Sequence, residues 1–301
     1  MRFILIIFFS FIFPEPFEGL ILISDTDIDT PETHLIDNNS NIINIWTHET
    51  GLSGVCYLTN DSILYAVSKI NNNQGAKYFK KMDWNSQIIW EYALPDSICR
   101  PHHDIEILSN GNILSICGTR KSNDDLYSIG MIIDNPSEDN RPNFDSIIEL
   151  EPIGTNQANI VWEWHFWDHL IQDIDPTLPN YGIISENPQL LDINSPSFTG
   201  EGQGDDANDW THCNSIHYNL ILDQIILSSR HRSELYIIDH STTSFEASSS
   251  EGGVYDKGGD FLYRWGNPQN YNRGSNNSQI LNGQHGVNWI PENYPGSGNI
   301  I

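Results

Sequence analysis

The chain has 301 residues, which is long enough for one or two domains with a large hydrophobic core. It carries 40 Asp and Glu residues against 14 Lys and Arg residues, so its formal net charge is −26. This balance excludes nucleic acid and anionic membrane surfaces as partners, because both require a basic surface. A small anionic ligand can bind only where a few cations gather in a cleft.

The N-terminal segment has the pattern of an export signal. Arg2 is the only charge before an apolar run, Ile4–Phe13, and Pro14 ends that run. About ten apolar residues are too few to span a bilayer. We therefore predict a signal peptide over residues 1–18. The mature chain, residues 19–301, is expected to be a single domain without a membrane span, in the periplasm or secreted.

After this segment the sequence is typical of an all-β protein. Short runs of Ile, Leu, Val, Tyr and Trp alternate with turns rich in Asn, Asp, Gly and Ser. One kind of hairpin has a second strand that ends in Trp, and another kind lies between these. The first kind comprises Thr33–Trp46, Phe79–Tyr92, Ile147–Trp164 and Leu235–Trp265; the second comprises Cys56–Val67, Asp104–Gly118 and Ser215–Ser229.

Two hairpins in each unit of about 40–50 residues are typical of a four-stranded propeller blade. A β-sandwich is the alternative, but the Trp recurs at the same place in each unit, where neighbouring blades would bury it. We therefore predict a β-propeller. The residues after Gly298 have the pattern of a new strand, so we expect the chain to be truncated at its C-terminus, before the closing blade.

The connections are expected to contribute little regular structure. A single short helix is predicted around Asp168–Ile174. Residues 176–208, rich in Pro, Gly and Asp, are expected to form a long loop at the mouth of the channel, where a loop of this length is often functional. The polar segment Thr242–Gly259 is expected to elaborate the surface.

Residues 211–230 are predicted to form an antiparallel hairpin, with a third strand beginning near Leu235. His212 and Asn214 lie at the start of the first strand and share one face, since side chains alternate. Arg230 ends the second strand, and antiparallel pairing places that end beside His212. The hairpin therefore predicts a pocket for an oxyanion, formed by an imidazole, an amide and a guanidinium.

Other histidines lie in comparable positions. His102 and His103 precede the hairpin that begins at Asp104, and His285 lies in Gln284–Val287, where another strand is expected to begin. Equivalent positions of different blades converge on the central channel of a propeller. We therefore expect imidazoles from distant segments to meet there, beside the pocket of residues 211–230.

Three further features are given more ordinary interpretations. His165 and His169 lie among tryptophans and are expected to pack in the core rather than line a stacking wall. Arg232 is expected to be a charge at the surface or rim. The spacing of the four cysteines fixes no pairing, so buried free thiols are at least as well supported as disulfides, and Cys213 is expected to pack behind the site. The other three are Cys56, Cys99 and Cys117.

The motifs together resemble the bacterial arylsulfate sulfotransferases of the propeller type. The resemblance covers about residues 20–301 and is most specific in DWTHCNS with SSRH. The matching stretches are His102–Leu114, Asp209–Asn219, Ile225–Asp239, Arg264–Pro268 and Gln284–Pro291. It implies a six-bladed propeller that moves a sulfuryl group from a phenolic sulfate ester to a phenol, without a nucleotide donor, a metal or another cofactor.

The resemblance also implies roles for individual residues. It assigns His285 as the nucleophile that is transiently sulfurylated. The sulfate is expected to be held by His212, Asn214 and Arg230, and His103 is expected to be a further site histidine. His103 or His212 would protonate the departing phenolate and deprotonate the acceptor, since imidazole titrates near neutral pH.

Two alternatives remain from the residues alone. A metal-dependent propeller hydrolase or lyase would use His102, His103, Asp104 and His285 as ligands. A non-catalytic propeller would bind carbohydrate or protein through its aromatic loops. Metal analysis separates the first alternative from a sulfotransferase, and the absence of any transfer from an aryl sulfate would favour the second.

Overall fold

The computed structural model describes residues 18–25, 31–71, 75–133, 142–195 and 209–301. Residues 1–17 of the predicted signal peptide lie outside the described residues, and so do residues 196–208 of the predicted long loop. Strands dominate what is described, which confirms the all-β prediction. Within these ranges no helix has the length and the apolar character that crossing a bilayer requires.

In the described residues, seventeen strands follow one another, most of them in short hairpins, because alternating apolar residues are separated by Asn, Asp and Gly turns. They are β1 (Leu20–Asp25), β2 (Glu32–Asp37), β3 (Ile42–Thr47), β4 (Tyr57–Leu58), β5 (Leu64–Lys69), β6 (Ala76–Met82), β7 (Ile88–Ala93), β8 (Arg100–Ile107), β9 (Ile113–Arg120), β10 (Asn143–Ile153), β11 (Gln157–His165), β12 (Leu170–Ile171), β13 (Leu191–Asp192), β14 (Cys213–Asn219), β15 (Gln224–Ser229), β16 (Glu234–Asp239) and β17 (Tyr263–Trp265).

These strands form four antiparallel sheets in which sequence neighbours pair. Sheet A contains β1–β3, sheet B contains β4–β7, sheet C contains β8–β11 and sheet D contains β14–β17. A separate parallel pair joins β12 to β13. Sheets B, C and D each consist of two successive hairpins, as the repeat predicted.

The sheets stack face against face, with an apolar core between each neighbouring pair. Because successive side chains point to opposite faces of a sheet, one strand contributes apolar residues to the cores on both sides. On β15, for example, Ile225 and Leu227 join the core between sheets C and D, whereas Ile226 faces Val287 and Trp289. The cores between sheets A and B and between sheets B and C are built in the same way.

The recurring tryptophans join the last strand of one sheet to the next sheet. Trp46, Trp90 and Trp164 are at most 3% exposed. Each indole N–H donates to a backbone carbonyl of the following sheet or its connections. The pairs are Trp46 with Asp83 (2.8 Å), Trp90 with Gln157 (2.9 Å) and Trp164 with Gly259 (2.7 Å). Trp265 is 37% exposed, so the prediction that every such Trp is buried is wrong for the last sheet.

The predicted helix around Asp168–Ile174 is wrong. A single 3-10 turn covers Phe166–Asp168, and β12 follows it directly. Two short α-helices lie elsewhere: α1 (Asn123–Ser128) and α2 (Ser244–Ala247). Both begin with a capping box, in which Ser122 or Thr243 exchanges hydrogen bonds with an acidic residue three positions later.

Two other segments are more closely packed than the sequence suggests. The described part of the predicted loop, residues 176–195, contains the buried residues Ile184, Leu191 and Ile193. The insertion Thr242–Gly259 includes α2, whose Ala247 is fully buried. Hydrophobic side chains scattered among polar residues therefore anchor both segments to the core between sheets C and D.

Two of the four cysteines form a disulfide, so free thiols are the wrong expectation for this pair. Cys99 and Cys117 are joined, with their Cα atoms 5.6 Å apart. Cys56 and Cys213 are buried free thiols. The disulfide fixes the entrance of β8 to β9, immediately before His102 and His103.

Candidate functional site

The site lies where the first strands of sheets C and D run side by side. The pairing of β8 with β9 is interrupted between Pro101 and Ile105, and that of β14 with β15 between Cys213 and Ser215. Such bulges redirect side chains and are common beside active sites. Both interruptions occur beside a predicted site histidine.

The backbone of both histidines is strained. His103 has φ 58° and His212 has φ 48°, in the left-handed region that residues with a Cβ rarely adopt. Gly54 approaches the backbone carbonyl of His103 so closely that a Cβ on residue 54 would collide with it. The connection between β3 and β4 therefore packs directly against the backbone of His103.

Three imidazoles from distant segments converge here, and we call them the histidine cluster: His103, His212 and His285. Ring centroids of His103 and His212 lie 4.7 Å apart. The ring of His285 lies 5.6 Å from that of His212 and 6.5 Å from that of His103. Each residue offers a nitrogen within 4.8 Å of the others. The structure thus brings together the three histidines that the sequence singles out.

His285 is not in a regular strand, contrary to the prediction that Gln284–Val287 begins one. Its segment is instead held by side chains. Asn214 Nδ2 donates to Gln284 O (2.8 Å), and Gly286 N donates to Asn214 Oδ1 (3.4 Å). Gln284 Nε2 in turn donates to carbonyls of Ser229 (3.1 Å) and Glu234 (3.0 Å). Asn214 therefore brackets His285, and its predicted contact with sulfate stays a prediction.

Arg230 follows β15, beside the start of β14. Its backbone N–H donates to His212 O (3.0 Å), which fixes the predicted juxtaposition of these two residues. Its Nη1 donates to His231 Nε2 (2.9 Å). The centroid of the His231 ring lies 4.7 Å from that of the His212 ring. His231 was not among the predicted site residues. His231 thus connects the guanidinium to the histidine cluster.

The surroundings favour neutral imidazoles at His103 and His285. Burial, reinforced by His102 and His212, lowers the pKa of His103 to about 4. Partial burial, with His212 and Arg230 nearby, also lowers the pKa of His285. A neutral imidazole keeps a lone pair, which is the form that acts as a nucleophile or binds a metal. Near neutral pH, His103 is therefore a neutral imidazole with one ring N–H, and the same influences favour the neutral form of His285.

Behind the cluster lies a buried carboxylate that the sequence analysis missed. Asp145 Oδ1 lies 3.0 Å from His102 Nε2. Asp145 Oδ2 accepts hydrogen bonds from Thr211 Oγ1 (2.6 Å) and Cys213 N (2.6 Å), the two neighbours of His212. The sequence does contain a signal for it, namely an Asp within the largely apolar strand Phe144–Leu150. A carboxylate that is buried in such a strand requires hydrogen-bond partners.

Two clefts open onto His102 and His103. One, of about 700 Å³, also reaches Asn214 and His285 and has an apolar wall that includes Leu52, Val55 and Tyr57. The other, of about 740 Å³, is bordered by Arg100, Arg120 and Lys121. The same cleft is also lined by the carboxylates of Asp96 and Asp209, so its rim carries charges of both signs.

Other sequence candidates lie apart from the cluster. Asp104 is buried and accepts hydrogen bonds from Tyr57 Oη (2.5 Å) and Ile216 N (3.0 Å), so it joins sheets B, C and D rather than facing the imidazoles. His169 is fully buried against Trp164, which agrees with its predicted place in the core. The same prediction is wrong for His165, which is only partly buried.

Arg232 was wrongly predicted to be a surface charge, because it is fully buried. Its guanidinium lies 4.0 Å from the centre of the Trp210 ring, and its Nη1 donates to Ser195 O (2.7 Å). Stacking on an aromatic face and a carbonyl partner make such burial possible.

The fold is all-β, and the candidate site contains three histidines beside an arginine. Comparison with known families identifies the family to which such a chain belongs. The family described as Arylsulfotransferase (ASST) matches residues 15–297. The chain therefore belongs to the arylsulfotransferase family, a family of aryl-sulfate sulfotransferases, which confirms the resemblance seen in the motifs.

No curated protein matches the chain. Among solved structures it is similar to a chain of hydrazine synthase from Kuenenia stuttgartiensis, with 10% identity and a TM-score of 0.44. That match covers 90% of this chain and 61% of the other, so the chain spans about three fifths of that structure.

Proposed function

We propose that the protein is an aryl-sulfate sulfotransferase that works through a sulfurylated histidine, with no nucleotide donor. The donor is a phenolic sulfate ester and the acceptor is a phenol. The observation that supports this most strongly is the convergence of His103, His212 and His285 beside Arg230, in a chain of the arylsulfotransferase family.

The chemistry matches what these residues offer. Sulfuryl transfer, like phosphoryl transfer, passes through a loose transition state with charge on the peripheral oxygens. The neutral imidazole of His285 supplies the lone pair that attacks sulfur. Arg230 donates to the sulfate oxygens, and His212 and Asn214 supply further donors. The second phenol then takes the sulfuryl group from His285, which restores the free imidazole.

We also propose that the four sheets are blades of a six-bladed propeller with the histidine cluster on its axis. The tryptophan links between successive sheets support a radial arrangement, since each joins a last strand to the next sheet. On the same footing, we propose that the protein is exported and acts in the periplasm or outside the cell.

Steady-state kinetics test the proposed reaction. An aryl sulfate and a phenol should react without any nucleotide, and double-reciprocal plots at several acceptor concentrations should be parallel, as a covalent intermediate requires. Intersecting lines would contradict the intermediate. No transfer to any phenol would leave a non-catalytic protein as the better account.

A metal-dependent hydrolase is the second candidate, because three imidazole nitrogens within 4.8 Å of one another can bind a metal ion. The ligands would be His103, His212 and His285 rather than the set that includes Asp104. Elemental analysis before and after dialysis against a chelator separates the two candidates. Activity that survives complete removal of metal supports sulfotransfer by the histidines alone.

A further inference from the structure

A chain of hydrogen bonds leads from the protein interior to the histidine cluster. His102 Nε2 lies 3.0 Å from Asp145 Oδ1, and His102 Nδ1 lies 2.8 Å from His103 Nδ1. Asp145 is 1% exposed. Because Nδ1 of His103 faces His102, Nε2 is the nitrogen of His103 that remains for a reacting group.

This series of hydrogen bonds has two protonation states, which differ by one proton. Asp145 is a carboxylate that accepts the Nε2 proton of His102, because its other oxygen already accepts two hydrogen bonds. Between the two Nδ1 atoms only one proton fits. If His102 holds it, His103 carries its own proton on Nε2 and is a donor. If His103 holds it, Nε2 of His103 has a lone pair and is an acceptor.

We propose that Asp145, His102 and His103 form a proton relay that gives a proton to the departing phenolate and recovers it from the acceptor phenol. Asp145 and His102 are positioning residues, and His103 is the group that touches the phenol oxygen. This inference rests on the proposed function and assigns the role of acid and base to His103.

Each half-reaction balances. In the first, the S–O bond to the donor aryl group breaks and a bond from His285 nitrogen to sulfur forms. The phenolate oxygen takes the Nε2 proton of His103 as His103 Nδ1 takes the proton of His102 Nδ1. In the second, the acceptor phenol returns a proton to Nε2, and Nδ1 of His103 gives its proton back to His102. No other reagent is required.

The surroundings of the relay fit this role. Burial opposes a charge on His102, but the Asp145 carboxylate outweighs it and raises the pKa of His102. Asp145, although buried, has its pKa lowered by His102 and by the hydrogen bonds from Thr211 and Cys213. A buried ion pair with its remaining lone pairs satisfied is the condition under which such a pair is tolerated.

Asp145→Asn tests the relay with little change in shape. The amide oxygen must accept from Thr211 and Cys213, so the amide nitrogen faces His102 and donates to it. His102 can then hold a proton only on Nδ1 and cannot release it. Single-turnover rates should be measured for phenyl sulfates that range from acidic to weakly acidic leaving phenols. The single-turnover rate of Asp145→Asn should be only slightly lower than that of the wild type for the most acidic leaving phenol, and about 100-fold or more lower for the least acidic.

Two further variants separate a relay from a structural role. His102→Gln should show the same steepened dependence on the leaving phenol. Thr211→Val, which removes one hydrogen bond to Asp145 outside the relay, should lower all rates by one common factor. Equal loss for every donor in Asp145→Asn, or no loss, would overturn the proposal.

Nitrogen chemical shifts of the His102 ring provide a test without turnover. Both nitrogens should be protonated in the resting wild-type protein, and only Nδ1 in Asp145→Asn. A neutral His102 in the wild type would overturn the relay. This measurement decides the question even if Asp145→Asn fails to fold. If wild-type His285 is never sulfurylated while His102 is an imidazolium, the proposed function fails and the relay geometry does not.

Discussion

The two ends of the sheets are built on different physical principles. At the outer strands, Trp46, Trp90 and Trp164 are buried, have no positive φ, and join one sheet to the next. At the inner strands, His103 and His212 adopt positive φ beside interrupted pairing, among polar groups. The first region buries apolar area, and the second holds partly buried imidazoles in fixed positions.

This contrast indicates that stability and chemistry are assigned to different strands of the sheets. Burial of large apolar side chains is the main favourable contribution to folding. Strained backbone and partly buried imidazoles cost free energy and persist only where the surrounding packing holds them. Substitutions at the outer strands should therefore change stability, and those at the inner strands should change activity.

The largest expected effect on activity is that of His285→Ala. Removing the proposed nucleophile should abolish transfer, because neither His103 nor His212 occupies the exposed position of His285. The transfer assay with an aryl sulfate and a phenol measures this. His34→Ala, a change on β2 away from the cluster, is the control and should keep full activity. Retained transfer in His285→Ala would remove His285 as the nucleophile.

Arg230→Ala should have the next largest effect. Loss of one donor to the developing charge on sulfate should lower the rate by about 100- to 1,000-fold. The thermal unfolding temperature should change little, since Arg230 bonds through its side chain only to His231 among the contacts described. Arg273, an exposed arginine that donates to Ser185 O, is the matched control. Equal rates for Arg230→Ala and Arg273→Ala would separate Arg230 from the site.

Trp90→Ala should affect stability instead of chemistry. Truncating a buried tryptophan costs about 3–5 kcal/mol of unfolding free energy. Trp265→Ala, at the same place in the last sheet but 37% exposed, should cost much less. Denaturant unfolding monitored by circular dichroism measures both. Equal losses for the two variants would contradict the separation between buried and exposed positions.

The smallest expected effect concerns pH. His48 is 9% exposed, and burial together with Lys80 lowers its pKa to about 4, below the usual value near 6.5. Between these values the unfolded chain binds the proton more readily, so the unfolding free energy falls as pH falls from 6.5 to 4. His48 should account for up to about 3 kcal/mol of that fall. His48→Gln should reduce the fall, and an unchanged pH dependence would contradict the burial argument.

Local sequence features predicted the hairpins well. The alternation of residues and turns such as Asn110-Gly111 determine strands within a few positions, and sheets B, C and D follow the predicted units. The meeting of His103, His212 and His285 was also predicted. Equivalent strand starts account for His103 and His212, whereas His285 reaches the cluster from a segment outside any regular strand. The short helices α1 and α2 were missed, since one or two turns give no helical periodicity.

Features that depend on contacts between residues far apart in the sequence could not be predicted. The partners of Asp145 lie 43 and 66 residues away, at His102 and Thr211. Nothing local to Arg232 distinguishes a surface charge from one stacked on Trp210. The cysteine pairing likewise depends on which residue of β9 faces the entrance of β8. These details follow from the register between elements, which a single sequence does not encode locally.

Mass spectrometry of the wild-type protein after incubation with an aryl sulfate alone tests the central claim most directly. We expect one sulfo group per chain, located on the peptide that contains His285 and lost when a phenol is added. Release of phenol without any modified histidine, or a sulfo group confined to another residue, would contradict the account.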